Sequence, residues 1–323
     1  MNKQGSFTGI GKVYNFTLTQ LFKNKANMAS FLVLVAVAAL AVPVMALFMG
    51  DGETGVTFLT DVMTIDEFLG QDQISYDSRY TLQYAYSIIV MIVCIFSCTY
   101  IVRAIIEEKS SKLVETLMVS IRSEAMIMGK ILAVISFVAI MVIAIVLAFA
   151  LSYFVTGMFM DTSFIGQILE NAGITSQTMN LGVDMIAAVV ISILIGCLML
   201  SLIAALSGAG CSTMEDMESA NMAATMIILA CYLVTVFAAP FGSGPAVILS
   251  LCPFISAFAA PTYYVTGDIG LAILILSWVI QIVCIFLLYK LSGKIYDSLI
   301  MYKGSRMKLG KIFSMALGRK EGK

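Results

Sequence analysis

Residues 28–49, MASFLVLVAVAALAVPVMALFM, contain no charged side chain, and about 20 such residues in a helix cross the hydrocarbon core of a bilayer. No other feature constrains the chain as strongly, and the pattern recurs. Uncharged runs follow at 80–102, 131–158, 185–209, 222–239 and 271–289. In lipid every backbone amide must be paired internally, so these runs predict an all-α membrane protein with six transmembrane helices. Of the 323 residues, 60% are hydrophobic and 12% charged, against roughly half and a quarter in a soluble domain. A further apolar stretch at 245–261 is interrupted by Pro253, and each half is too short to cross. It reads as an outer re-entrant hairpin over 245–262.

Cytoplasmic loops retain Lys and Arg, which orients the spans. Lys3, Lys12, Lys23 and Lys25 precede the first span; Arg103, Lys109, Lys112, Arg122 and Lys130 lie between the second and third; nine more follow from Lys290 onward. Only Arg79 falls elsewhere, beside the acidic outer loop 50–79 with Asp51, Glu53, Asp61, Asp66, Glu67, Asp72 and Asp77. Both termini are therefore expected in the cytoplasm, with a second outer loop at 159–184. The loop 210–221 must then be cytoplasmic too, although it contains Glu215, Asp216 and Glu218 and no base. Residues 1–27 read as an interfacial elbow, because Phe16, Leu18, Leu21 and Phe22 recur near helical spacing beside lysines. Cleavage as a signal peptide near Ala39 and Ala41 is the competing account, but the polar lead is long for one. The tail 291–323 is basic and suits anionic lipid, at about 1 kcal/mol per near-surface base. Membrane attachment and an overall charge of −1 speak against nucleic acid.

Several chemistries are excluded. There is no histidine, which removes most catalytic triads and zinc sites. No G-x-x-x-x-G-K-[ST] is present, so the chain has no P-loop for a nucleoside triphosphate. Its seven cysteines lie in or near the apolar spans and read as small packing residues, without a disulfide framework or metal site. No ionisable residue falls near a span centre, Gln281 being the main strongly polar side chain in the sixth; this disfavours a pump built on buried charge.

The segment 103–130, RAIIEEKSSKLVETLMVSIRSEAMIMGK, is the most informative. Leu113, Val114, Leu117, Met118 and Ile121 line one helix face, with Glu108 and Lys112 as an i, i+4 pair on the polar side. These residues predict a short cytoplasmic amphipathic helix, either a contact surface or a passive helix on the membrane. The segment resembles the signature region of ATP-binding-cassette permeases of the ABC-2 exporter type. There a Glu-Glu-Lys follows the second span, here Glu107, Glu108 and Lys109; it runs into S-x-x-x-E-x-L, here Ser111, Glu115 and Leu117; and it ends in Gly129 and Lys130 at the third span. The likeness extends to TLTQLFKNKAN at 17–27, PFISAFAAPT at 253–262 and the tail from 293 to 309, and is greatest to sodium-efflux-like permeases. About 30 residues between the first two spans, too few for an independent core, depart from members of that branch with a long outer domain.

The resemblance implies a transmembrane domain over 28–290, paired with a second copy or a paralogue in a cell membrane, bacterial by the same analogy. It binds no cofactor itself; ATP and Mg belong to a separate P-loop ATPase subunit, and the chain is not an enzyme. Glu107, Glu108, Lys109, Ser111, Glu115 and Leu117 would form the coupling surface, with Glu215, Asp216 and Glu218 as a second contact. The hairpin is either a packing wedge or an outer gate built on Pro253, Phe254, Phe258 and Pro261. Two other classes compete with the exporter subunit: a membrane scaffold or sensor, which should carry a readable soluble domain, and a stand-alone secondary transporter, which should show paired interrupted spans and buried ion ligands. Neither feature is legible here. The substrate is not encoded in any motif.

Overall fold

The computed structural model describes residues 9–49, 76–110, 123–160, 162, 183–211, 214–241 and 243–300. Among them the regular elements are all helical. The nine α-helices are α1 (Ile10–Lys23), α2 (Lys25–Met49), α3 (Tyr76–Ser110), α4 (Ser123–Gly157), α5 (Val183–Ala209), α6 (Met217–Ala238), α7 (Ser243–Leu251), α8 (Pro253–Val265) and α9 (Leu271–Ile300). Short 3-10 turns at Met214–Asp216 and Ala239–Phe241 flank α6. Six helices, α2, α3, α4, α5, α6 and α9, are long and apolar enough to cross a membrane.

The core lies where α3, α4 and α5 meet, with α6 and α8 against them. Contacts between helices fix their directions. Tyr100 stacks edge-on against Phe137 at 5.2 Å, and Glu108 meets Lys130 a few turns along, so α3 and α4 run antiparallel. Ser97 and Ser201 share a hydrogen bond of 2.9 Å, Cys94 and Cys197 one of 3.6 Å, and Lys109 reaches the carbonyl of Ala209, so α3 and α5 run parallel. Small side chains permit this close approach: at Gly208 a Cβ would lie 3.2 Å from the Cα of Val102. Ser152 donates to the carbonyl of Ala39 at 2.6 Å, joining α2 to α4. The start of α3, the start of α5 and the start of α9 consequently share one end of the bundle, where α7 and α8 also pack. The end of α3 and the starts of α2 and α4 share the other.

Two features of the helices differ from the hydropathy reading. The second and third spans extend well past the uncharged runs: α3 continues through Arg103, Glu107, Glu108 and Lys109, and α4 begins at Ser123, two turns before Lys130. Gly129 and Lys130 therefore lie inside a helix rather than opening it. The physical reason is that charge ends a helix's contact with lipid, not its hydrogen bonding, and here the charges are partnered by protein. The broken apolar stretch is two short helices, with Pro253 at the first position of α8, where its missing N–H costs nothing.

Of residues 16–27, expected in one interfacial helix, 16–23 form the end of α1, Asn24 breaks the helix and 25–27 already belong to α2. Val13, Thr17 and Leu21 are buried on one face. That face packs on α4: Phe22 stands edge-on to Phe137 at 5.0 Å, Tyr14 donates to Ser136 at 3.1 Å, and a Cβ at Gly129 would lie 2.8 Å from that of Val13.

Candidate functional site

At the end of α3 a polar network joins three helices, α1, α2 and α3. Arg103 and Glu107 are four residues apart and so share a face; Arg103 Nε donates to Glu107 Oε1 at 2.8 Å. Glu107 also accepts from Asn24 Nδ2 at 3.2 Å and from Gln20 Nε2 at 3.4 Å, and Arg103 Nη1 donates to Asn27 Oδ1 at 3.0 Å. One carboxylate thus ties α3 to the end of α1 and the link into α2. Gln20, Asn27, Arg103 and Glu107 line a cleft with Thr17 and Leu21, and about a quarter of each charged side chain remains exposed.

Glu108 points elsewhere. It forms an ion pair with Lys130 at 2.5 Å, and the two side chains are 1% and 0% exposed. The amphipathic pattern puts Glu108 on a polar, solvated side with Lys112; the structure corrects this, because the uninterrupted α3 delivers Glu108 into the interface with α4. Removing two charges from water costs several kcal/mol each, recovered only by close pairing of this kind. Lys109 donates to the carbonyl of Ala209 at 2.9 Å. That carbonyl ends α5, where backbone acceptors lack intrahelical donors and the helix dipole favours a cation.

The other expected contact residues fall into two groups. Ser111, Glu115 and Leu117 lie outside the described residues. Glu215 and Asp216 form the 3-10 turn before α6, and Glu218 lies in the first turn of that helix; Glu215 and Glu218 are exposed. The turn sits beside the end of α5, where Cys211 Sγ approaches the carbonyl of Asp216 at 3.8 Å and Ser207 donates to the carbonyl of Ala220 at 3.0 Å. This turn thus adjoins the network's end of the bundle. Lys130, Asn27, Asn24 and Gln20 were not among the expected site residues. Arg103 entered the sequence reading as an orienting charge, and Lys130 as an orienting charge and as the end of the signature; the i, i+4 spacing of Arg103 from Glu107 was the one available signal for these contacts.

At the opposite end, Pro253 and Phe254 are half-buried, while Phe258 and Pro261 are fully buried. They are held among α3, α5 and α9. Ser256 and Ser277 share a 2.7 Å hydrogen bond that Gln281 joins at 3.0 Å, and Tyr264 donates to Asp184 at 3.0 Å. Among the described residues no group of three or more acidic, Cys or His side chains is placed to hold a metal ion.

Six apolar helices, with the buried charges among the described residues confined to one end, fit a multi-pass membrane protein. Residues 64–292 match the model of the ABC-2 family transporter proteins. That is more than half of the chain, and the chain belongs to this family. The match is to the family as a whole and singles out no sodium-efflux branch. No curated protein and no solved structure matches the chain. A membrane domain of this family is a permease component, not itself catalytic, and normally works with an ATPase subunit.

Proposed function

We propose that the chain is the transmembrane permease subunit of an ABC exporter, moving substrate out of the cell with ATP hydrolysed on a separate P-loop subunit. The network at the end of α3 supports this most directly. Glu107 and Glu108 stand just before segment 111–122, and one grips α1 while the other grips α4. A partner pressing on that segment would displace three helices together. In this reading α1 is the interfacial elbow, the charged end is cytoplasmic, and the turn from Glu215 to Glu218 is a second contact. Two copies, or this chain and a paralogue, enclose the pathway, and α7 with α8 form the re-entrant element on the outer side.

The experiment is purification of the tagged chain from its native membrane. A stoichiometric P-loop ATPase should accompany it, and ATP hydrolysis should vanish when that partner's Walker lysine is replaced. A preparation without any such partner, in a detergent that preserves transporter complexes, would overturn the reading in favour of a scaffold or a secondary transporter. Within the complex, Glu107→Gln should reduce permease-dependent ATPase activity about fivefold or more, with unchanged membrane insertion because the side chain is partly solvated. Full activity in that variant removes Glu107 from coupling.

A further inference from the structure

Pro261 lies inside α8 and has no amide hydrogen, so the carbonyl of Ala257, four residues earlier, has no intrahelical donor. At this depth an orphaned carbonyl is expensive and needs a partner from another element. Helix α3 supplies it. The hydroxyl of Tyr86 donates to the carbonyl of Ala257 at 2.8 Å, and the amide of Gln83, one turn earlier, donates to the carbonyl of Phe258 at 2.9 Å. Gln83 is itself fixed: it donates to Ser87 at 2.8 Å and its amide oxygen accepts from the hydroxyl of Thr262. Tyr86 is 8% exposed and Gln83 3%, and residues 256–263 of α8 are buried.

We propose that Tyr86 is a positioning residue whose hydroxyl replaces the amide hydrogen that Pro261 lacks, tying the proline-broken turn of α8 to α3. The other end of α3 holds Glu107, 21 residues away and about 32 Å along the axis, and the 35-residue helix contains neither Gly nor Pro. Resting on the permease reading above, α3 is then the rod by which a displacement at the charged end reaches the broken helix at the other. Neither the hydroxyl nor the proline stands out alone. Their pairing is what explains why a tyrosine, rather than another apolar residue, faces α8.

The test is hydrogen exchange measured by mass spectrometry on the full chain in lipid nanodiscs. Tyr86→Phe keeps the ring and removes the donor, so the amides of 258–265 should exchange about tenfold faster, the equivalent of one lost buried hydrogen bond. Adding Pro261→Ala supplies an amide hydrogen at residue 261 and should return exchange to within about threefold of the parent. Unchanged exchange in Tyr86→Phe, or no rescue in the double variant, overturns the assignment. A Tyr86→Phe chain that does not fold while the double variant does supports it; failure of both overturns it. For the rod, Glu107→Gln should shift α8 exchange at least about twofold, and this response should disappear in the Tyr86→Phe background. An α8 indifferent to Glu107→Gln refutes the rod without touching the permease reading, which stands or falls on the co-purifying ATPase.

Discussion

Replacing Lys130 with methionine is expected to lower the unfolding free energy by about 3–5 kcal/mol, because it takes the cation from a carboxylate shut away from solvent. Glu108 is 1% exposed, so water cannot substitute for the lost partner. Adding Glu108→Gln should recover most of the loss, since a neutral amide beside an apolar side chain needs no counter-charge. Unfolding by SDS in mixed micelles measures both variants. A single variant as stable as the parent would mean that the pair is neutral in the folded protein, and a double variant as weak as the single would mean that packing rather than charge is lost. The contrast with Glu107 is instructive: that residue keeps a quarter of its surface in contact with solvent, so its removal should be felt in coupling more than in stability.

Gly196→Ala is expected to cost about 1–3 kcal/mol through overpacking. An added Cβ at residue 196 would lie 2.5 Å from the Cβ of Ala257, a separation that real methyl groups do not adopt. Both residues sit in the middle of helices, α5 and α8, and neither can yield without moving its backbone. The compensating change is Ala257→Gly, which empties the same space and should restore stability apart from about 1 kcal/mol of lost helix propensity. The same micelle titration reads this pair. Recovery in the double variant would locate the strain at this contact, and an additive loss would place it elsewhere.

Much of the fold was legible because membrane spans are written as long apolar runs. All six runs correspond to helices, and the break at Pro253 falls between α7 and α8, where the proline's missing donor is tolerated. What hydropathy could not show was where the helices end. The uncharged runs stop at Val102 and begin again at Ile131, yet α3 and α4 continue past them, because Arg103 with Glu107 and Glu108 with Lys130 neutralise one another within protein. The site was legible in the same uneven way. Glu107, Glu108 and Lys109 were identifiable as a motif, but nothing local joins Glu107 to Asn24, 83 positions away, or Glu108 to Lys130, 22 positions away, until folding brings them together. The attachment of Tyr86 to Ala257 spans 171 positions and leaves no local periodicity at all.

The dependence of α1 and α2 on α4 has a consequence for how the protein is made. Both helices pack chiefly on α4, and neither finds that surface until the chain has been extended into α4. At about 5–20 residues per second, the first span leaves the translocon and waits some seconds in lipid before its neighbour emerges. It must therefore be inserted on the strength of its own 25 residues. The amino-terminal helix, with Val13, Thr17 and Leu21 not yet covered, spends the same interval undocked, and a chain arrested between the second and third spans would present that unpaired face to the cell's quality-control machinery.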